Sequence, residues 1–140
     1  MNGAIHPAEP IWADDVLLKP AEIRAGSMIE TFGPRGPRRA RVEKTVQGSG
    51  RGTVWLHGAS GACIRCLHDE RVAVYVAGRQ RYRRAGKVQP GDFLCRYVGW
   101  TLTVDPVVAI RTFTENVPAV YLTLPAVSLL SEEGYLVRPS

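Results

Sequence analysis

At 140 residues the chain has the length of one ordinary domain, with no room for a second. Its 45% hydrophobic content fills a core and its 22% charged content is spread along the sequence, which excludes a disordered chain; the net charge of +5 has a local source in Arg35, Arg38, Arg39 and Arg41. Apolar stretches such as Val72 to Ala77 are strand-sized, far below the roughly 20 residues of a membrane-spanning helix, and no basic start followed by a hydrophobic run marks a secretory signal, so a cytoplasmic protein with no membrane partner is expected.

Residues 1–15, with Pro7 and Pro10 and little periodicity, read as an extended N-terminal arm in which Ile11 and Trp12 can dock on the body or on a partner. Residues 16–140 read as a single domain. Ten prolines and fourteen glycines cut the chain into short segments rich in Val, Ile, Thr, Tyr and Trp, which is a strand pattern. In chain order, strands are expected from Met28 to Phe32, Ala40 to Val46, Gly52 to His57, Ala62 to Cys66 and Arg71 to Ala77. Further strands are expected from Phe93 to Val98, Val107 to Thr114, Ala119 to Leu124 and Tyr135 to Arg138. Turns are expected at Gly33 to Pro37, Gly48-Ser49-Gly50, Gly58 to Gly61 and Pro90-Gly91-Asp92. No window holds apolar residues at helical spacing for more than about two turns. The fold class is therefore all-β, a compact barrel or sandwich of short strands.

The chain also resembles itself. Ala21 to Ile29 matches Gly86 to Leu94 in pattern, and Thr53 to Leu56 matches Ala119 to Leu122 at nearly the same offset, which suggests two related halves.

Three anchors resemble the Hint superfamily, the module shared by inteins and hedgehog autoprocessing domains. Gly86 to Leu94 looks like its leader and Gly-Asp segment, Ile64 to Val72 like its histidine-bearing segment, and Val120 to Ser140 like its C-terminal end. The resemblance implies a compact Hint-like all-β fold with a pseudo-twofold repeat. It also implies a Cys or Ser nucleophile at the start of the module, which shifts the backbone acyl group from nitrogen to a side-chain heteroatom. Here the chain begins Met1-Asn2-Gly3 and its first cysteine is Cys63. The family's Thr-x-x-His, which protonates the leaving nitrogen, falls on Leu67 and Glu70, and an ionised Glu70 makes a poor proton donor. The terminal His-Asn falls on Arg138 and Pro139, ahead of Ser140, and proline has no amide to cyclise. No catalytic residue is expected, and the chain reads as a degenerate member lacking the splicing residues.

Cys63, Cys66 and Cys95, with His57 and His68 nearby, invite a zinc reading. Residues three apart on a strand point to opposite faces, so no metal and no cofactor is expected, only thiols or one bridge. Arg79, Arg81 and Arg83 share one strand face and, with Arg35, Arg38, Arg39 and Arg41, offer a basic surface for phosphates; a solvated edge hairpin is the competing reading. Trp55 is assigned to the core, Trp12 and Trp100 to contacts with other molecules. From these features the expected function is a non-catalytic structural or assembly module that contacts other protein subunits in a larger assembly, such as a phage or virus particle. A nucleic-acid-binding module and a residual autoprocessing domain are the alternatives.

Overall fold

A computed structural model of the chain describes residues 2–33, 36–99, 101–125 and 128–138. In chain order the strands are β1 (Asn2–Ile5), β2 (Ile11–Ala13), β3 (Val16–Leu18), β4 (Met28–Gly33), β5 (Gly36–Arg41), β6 (Lys44–Gly58) and β7 (Cys63–Cys66). There follow β8 (Arg71–Val76), β9 (Arg79–Arg84), β10 (Phe93–Val98), β11 (Thr101–Thr123), β12 (Ser128–Leu130) and β13 (Leu136–Arg138). Among the described residues the helical pieces are two single 3-10 turns, Pro20–Glu22 and Ala85–Lys87, and no helix is long and apolar enough to cross a membrane.

All these strands join one curled sheet in the order β3-β2-β4-β12-β13-β8-β10-β11-β6-β7, with β1 on β11, β5 on β4 and β9 on β8. Two long strands shape it. β6 and β11 pair antiparallel from Lys44 opposite Thr123 to Gly58 opposite Val107, with register slips between Phe113 and Asn116 and between Val107 and Ala109. Such bulges bend a strand and raise its twist. Beyond the second slip β11 leaves β6 and pairs with β10, Pro106 lying opposite Phe93.

The segments expected as separate strands from Val107 to Thr114 and Ala119 to Leu124 thus fall on one strand, β11, while Gly52 to His57 lies within β6 and Ala40 to Val46 is divided between β5 and β6. Gly48-Ser49-Gly50, expected as a turn, lies within β6. Close packing explains these glycines better than turning does. A Cβ on Gly48 would come within 2.9 Å of the Tyr121 ring, and one on Gly50 would overlap the Leu67 side chain.

The core fills the concave side of the sheet, where Ile23, Ile29, Val54, Leu56, Ile64 and Leu94 are almost wholly buried. Within the segment expected as an arm, β1 and β2 are strands of the same sheet as the rest of the chain. β1 pairs with β11, Ala4 opposite Tyr121, and Ile5, Ile11 and Ala13 belong to the main core.

The suspected repeat is visible in the backbone. Pro20–Glu22 is followed by Gly26 at φ 92° and then β4; Ala85–Lys87 is followed by Gly91 at φ 91° and then β10. Each segment is a 3-10 turn, a left-handed glycine and a strand entering the core, and only glycine takes that φ without strain.

Candidate functional site at the N-terminal strand

The turn joining β7 to β8 carries the residues that the Hint resemblance aligns with Thr-x-x-His, and it folds against the N-terminal strand. Glu70 is 2% exposed. Its Oε1 accepts the backbone N–H of Leu67 at 2.8 Å and the backbone N–H of His6 at 2.8 Å. The side chain of Ala4, on the same face of the strand as His6 by two-residue alternation, is 2% exposed and packs with Leu67 and Ala119. Ala4 thus packs beside Leu67, while Glu70 holds the peptide N–H of His6, two residues further along the chain.

Burial pushes the Glu70 carboxyl up to about 8, against the pull of the two N–H bonds and with a further push from nearby Glu9. At neutral pH Glu70 is a carboxylic acid. An oxygen that accepts two N–H bonds does not also carry the proton, so the acid proton sits on Oε2. This corrects the expectation of an ionised side chain unable to donate.

The surrounding groups form one buried polar cluster. Glu9 Oε2 accepts the Arg65 N–H at 2.9 Å on the open edge of β7, and burial raises its carboxyl to about 7. The His6 ring is held near pKa 4, chiefly by burial and then by Arg65, so it is neutral. Its Nδ1 accepts the Ala8 N–H at 3.1 Å. The ring proton is therefore on Nε2, which donates to Thr53 Oγ1 at 2.8 Å. Thr53 receives a hydrogen bond from the ring, and in this tautomer His6 cannot act as base for it.

Cys66 is buried beside the two carboxyls; burial first, then Glu70 and Glu9, push its thiol well above the usual range, which removes the reactive thiolate at neutral pH. The cluster offers a proton donor but no activated nucleophile.

A second network pins the C-terminal strand. Asp105 Oδ2 accepts Tyr135 OH at 2.5 Å and Ser60 Oγ at 2.7 Å, and Oδ1 accepts the Ser60 N–H at 2.9 Å. Burial alone would raise the Asp105 carboxyl, but these donors outweigh it and hold the group below its ordinary value.

The other sequence-derived sites scatter. Cys63 stands opposite His57, on the other face of β7 from buried Cys66, and Cys95 lies in a small cluster with Phe32, Ala73 and Leu136. Arg39 is engaged by Glu30 at 2.9 Å and by Asp15, while Arg38 and Arg41 are exposed on β5. Arg79, Arg81 and Arg83 lie opposite Val76, Val74 and Val72, and Arg83 binds Asp92 at 2.8 Å. Arg35 and Trp100 fall outside the described residues, as do Pro139 and Ser140. Trp12 lines a shallow hollow with Arg96, Glu132 and Glu133.

Trp55, expected in the core, is half-buried on the outer face of β6, with the Arg65 guanidinium 4.5 Å and that of Arg111 5.8 Å from its ring centroid. Val54 and Leu56 take the inward positions. Sequence reasoning missed Ala4, His6, Glu9 and Thr53. The one available signal was the alternation of Ala4, Ile5 and His6, which marks a strand but not the face it presents.

No known sequence family matches the chain, and neither does any curated protein sequence. Solved structures do. The TvoVMA intein superposes with a TM-score of 0.82 at 15% identity, covering 97% of this chain and 96% of that one. An intein from a hyperthermophile gives 0.80 at 13% identity over 99% of both chains. The bacterial intein-like domain from Clostridium thermocellum gives 0.78 at 19% identity, over 97% of this chain and 98% of its own. These likenesses overturn the expected assembly module of a phage or virus particle, which rested on an extended arm and on architecture by analogy: the near-complete superpositions are on inteins, and the arm is a strand of the domain. The chain has the Hint fold of the inteins.

Proposed function

We propose that the chain is a residual autoprocessing domain of the intein type, which keeps the proton-donating half of the cleavage site and has lost the nucleophile at position 4. The observation that carries this reading is Glu70, buried, protonated at neutral pH and clasped by the N–H groups of Leu67 and of His6, two residues along the chain from Ala4. A positioned acid of pKa near the working pH is suited to protonate a leaving nitrogen, a contribution of about 10²–10⁴ in rate.

Restoring the missing group tests it. With a soluble reporter fused ahead of Asn2, an Ala4→Cys thiol would attack the Gly3 carbonyl carbon. The C–S bond forms, the C–N bond breaks and the position-4 nitrogen takes a proton supplied by Glu70, while the thiol proton passes to solvent and restores the acid; an added thiol then exchanges with the thioester and releases the reporter. Intact mass and gel analysis with dithiothreitol are expected to show no cleavage in the parent chain and cleavage within hours in Ala4→Cys. Adding Glu70→Gln is expected to slow that cleavage at least about tenfold. An Ala4→Cys protein that melts like the parent and stays uncut refutes the proposal.

A further inference from the structure

The convex face of the sheet carries a charge pattern that the N-terminal site does not explain. Arg71 on β8 stands directly opposite Arg84 on β9 and, on its other side, directly opposite Arg138 on β13. Directly opposed residues project to the same face, so three guanidinium side chains form one row across three adjacent strands, about 10 Å long at the usual strand spacing. Like charges in directly opposed positions destabilise a sheet. None of the three has an ion-pair partner among the described residues; the carboxylates engaged by arginine serve Arg39, Arg83 and Arg96 instead.

Flat aromatic surface lies on the same face. The Arg138 guanidinium sits 4.7 Å from the Tyr82 ring centroid. Leu94 pairs directly with Val74 and both point into the core, so their neighbours Phe93 and Tyr75 turn outward. They are 46% and 39% exposed.

From this juxtaposition we infer that the convex face binds single-stranded nucleic acid, with Arg84, Arg71 and Arg138 on successive phosphates and Tyr75 and Phe93 stacking against bases. Tyr75 and Phe93 lie about 13 Å along the strands from the arginine row, beyond the buried Ala73, and cations together with exposed rings on one face are what sequence-tolerant single-strand binding requires. An acidic protein surface would answer the arginines but leave the two rings without a flat partner. The Arg79, Arg81 and Arg83 side chains cannot join the row, because they lie opposite Val76, Val74 and Val72 and share the other face.

The test is fluorescence anisotropy of a labelled 20-nucleotide oligothymidylate against the full chain over a salt series, with polyglutamate as competitor. Binding is expected in dilute buffer, with a slope of log affinity against log salt of about −2 for three phosphate contacts. Combined Arg71→Gln, Arg84→Gln and Arg138→Gln is expected to abolish most of that slope. Tyr75→Ala with Phe93→Ala is expected to weaken binding at least about fivefold while leaving the slope in place. Arg79→Gln with Arg81→Gln serves as the control and is expected to change neither.

Arg71→Gln alone is expected to melt at the same or a higher temperature, since it removes two like-charge pairs, with Arg84 and with Arg138. Absence of binding at 20 mM salt, equal competition by polyglutamate, loss of binding in the Arg79/Arg81 control, or a lower melting temperature for Arg71→Gln each overturns the inference. None of these outcomes depends on residue 4, so the autoprocessing proposal and this one fail separately.

Discussion

Glu70 couples the fold to pH. Its carboxyl titrates at the usual 4.5 in the unfolded chain and at about 8 in the fold, so between those values the folded protein holds a proton that the unfolded chain has released. For such a group stability is complete below the lower value and drains away as pH climbs to the upper one. At about 1.4 kcal/mol per pH unit the loss from Glu70 alone reaches about 5 kcal/mol. Glu9, raised to about 7, acts in the same sense between pH 4.5 and 7. His6, lowered from 6.5 to about 4, acts in the opposite sense between pH 4 and 6.5, because there the unfolded ring carries the extra proton. Stability from this cluster therefore peaks near pH 4 to 5 and falls most steeply between pH 6.5 and 7.

The perturbation is Glu70→Gln, which keeps an oxygen to accept the His6 and Leu67 N–H groups and removes the titration. Urea unfolding followed by tryptophan fluorescence at pH 5, 6, 7 and 8 measures the stability gap between variant and parent. That gap is expected to move in favour of the glutamine by about 4 kcal/mol from pH 5 to pH 8. Parallel pH profiles for the two proteins would refute both the protonated carboxyl and the chemistry built on it.

Three further substitutions probe the packing that holds the site. Gly58→Ala would drive a methyl group into the Asp105 carboxylate and is expected to cost about 3 kcal/mol, seen as a lower urea midpoint at constant slope; a shift under about 0.5 kcal/mol would show the contact to be soft. Tyr135→Phe removes the 2.5 Å hydrogen bond to Asp105 and is expected to cost about 1.5 to 3 kcal/mol, with the Asp105 carboxyl titrating higher by NMR than in the parent. Gly50→Ala collides with Leu67, so Leu67→Ala should partly rescue it. A double-mutant cycle is expected to give a coupling of about 1 kcal/mol or more, and strict additivity would place the two residues apart.

Much of the sheet was legible in the sequence because β-branched and aromatic residues alternate between glycine and proline stops, as in Val72, Val74 and Val76 of β8. The 3-10 turn, left-handed glycine and strand of the two repeats could be matched by pattern alone, since Gly26 and Gly91 are required by backbone geometry. The continuity of β6 and β11 was not legible. Glycine and proline normally punctuate strands, but Gly48 and Gly50 make room for Tyr121 and Leu67, and Pro106 and Pro118 are carried within a strand that changes partners along its length. Trp55 shows a related limit: period two says that Val54 and Trp55 face opposite ways, yet both are apolar enough to claim the inside. The site was half legible. The alignment of Leu67 and Glu70 could be read, but the ionisation state of Glu70 depends on burial, and the strand that buries it lies more than sixty residues away in the chain.

The choice of carboxyl over amide at position 70 bears on whether the site is more than packing. Two backbone N–H groups, from His6 and Leu67, converge on one oxygen, and leaving them without an acceptor would cost about 1 to 3 kcal/mol each. An acceptor is therefore needed at that point. A glutamine supplies it with no titration, whereas a glutamic acid supplies it in either protonation state but, because burial disfavours the charge, loses stability as pH rises through the neutral range. A purely structural role favours the amide; a role that delivers a proton to a nitrogen of the N-terminal strand needs the acid. In the Ala4→Cys background the two part company. Glu70→Gln is expected to raise stability at pH 8 and to slow reporter release in the same protein, and a glutamine variant that is both more stable and equally fast would reduce Glu70 to a spacer.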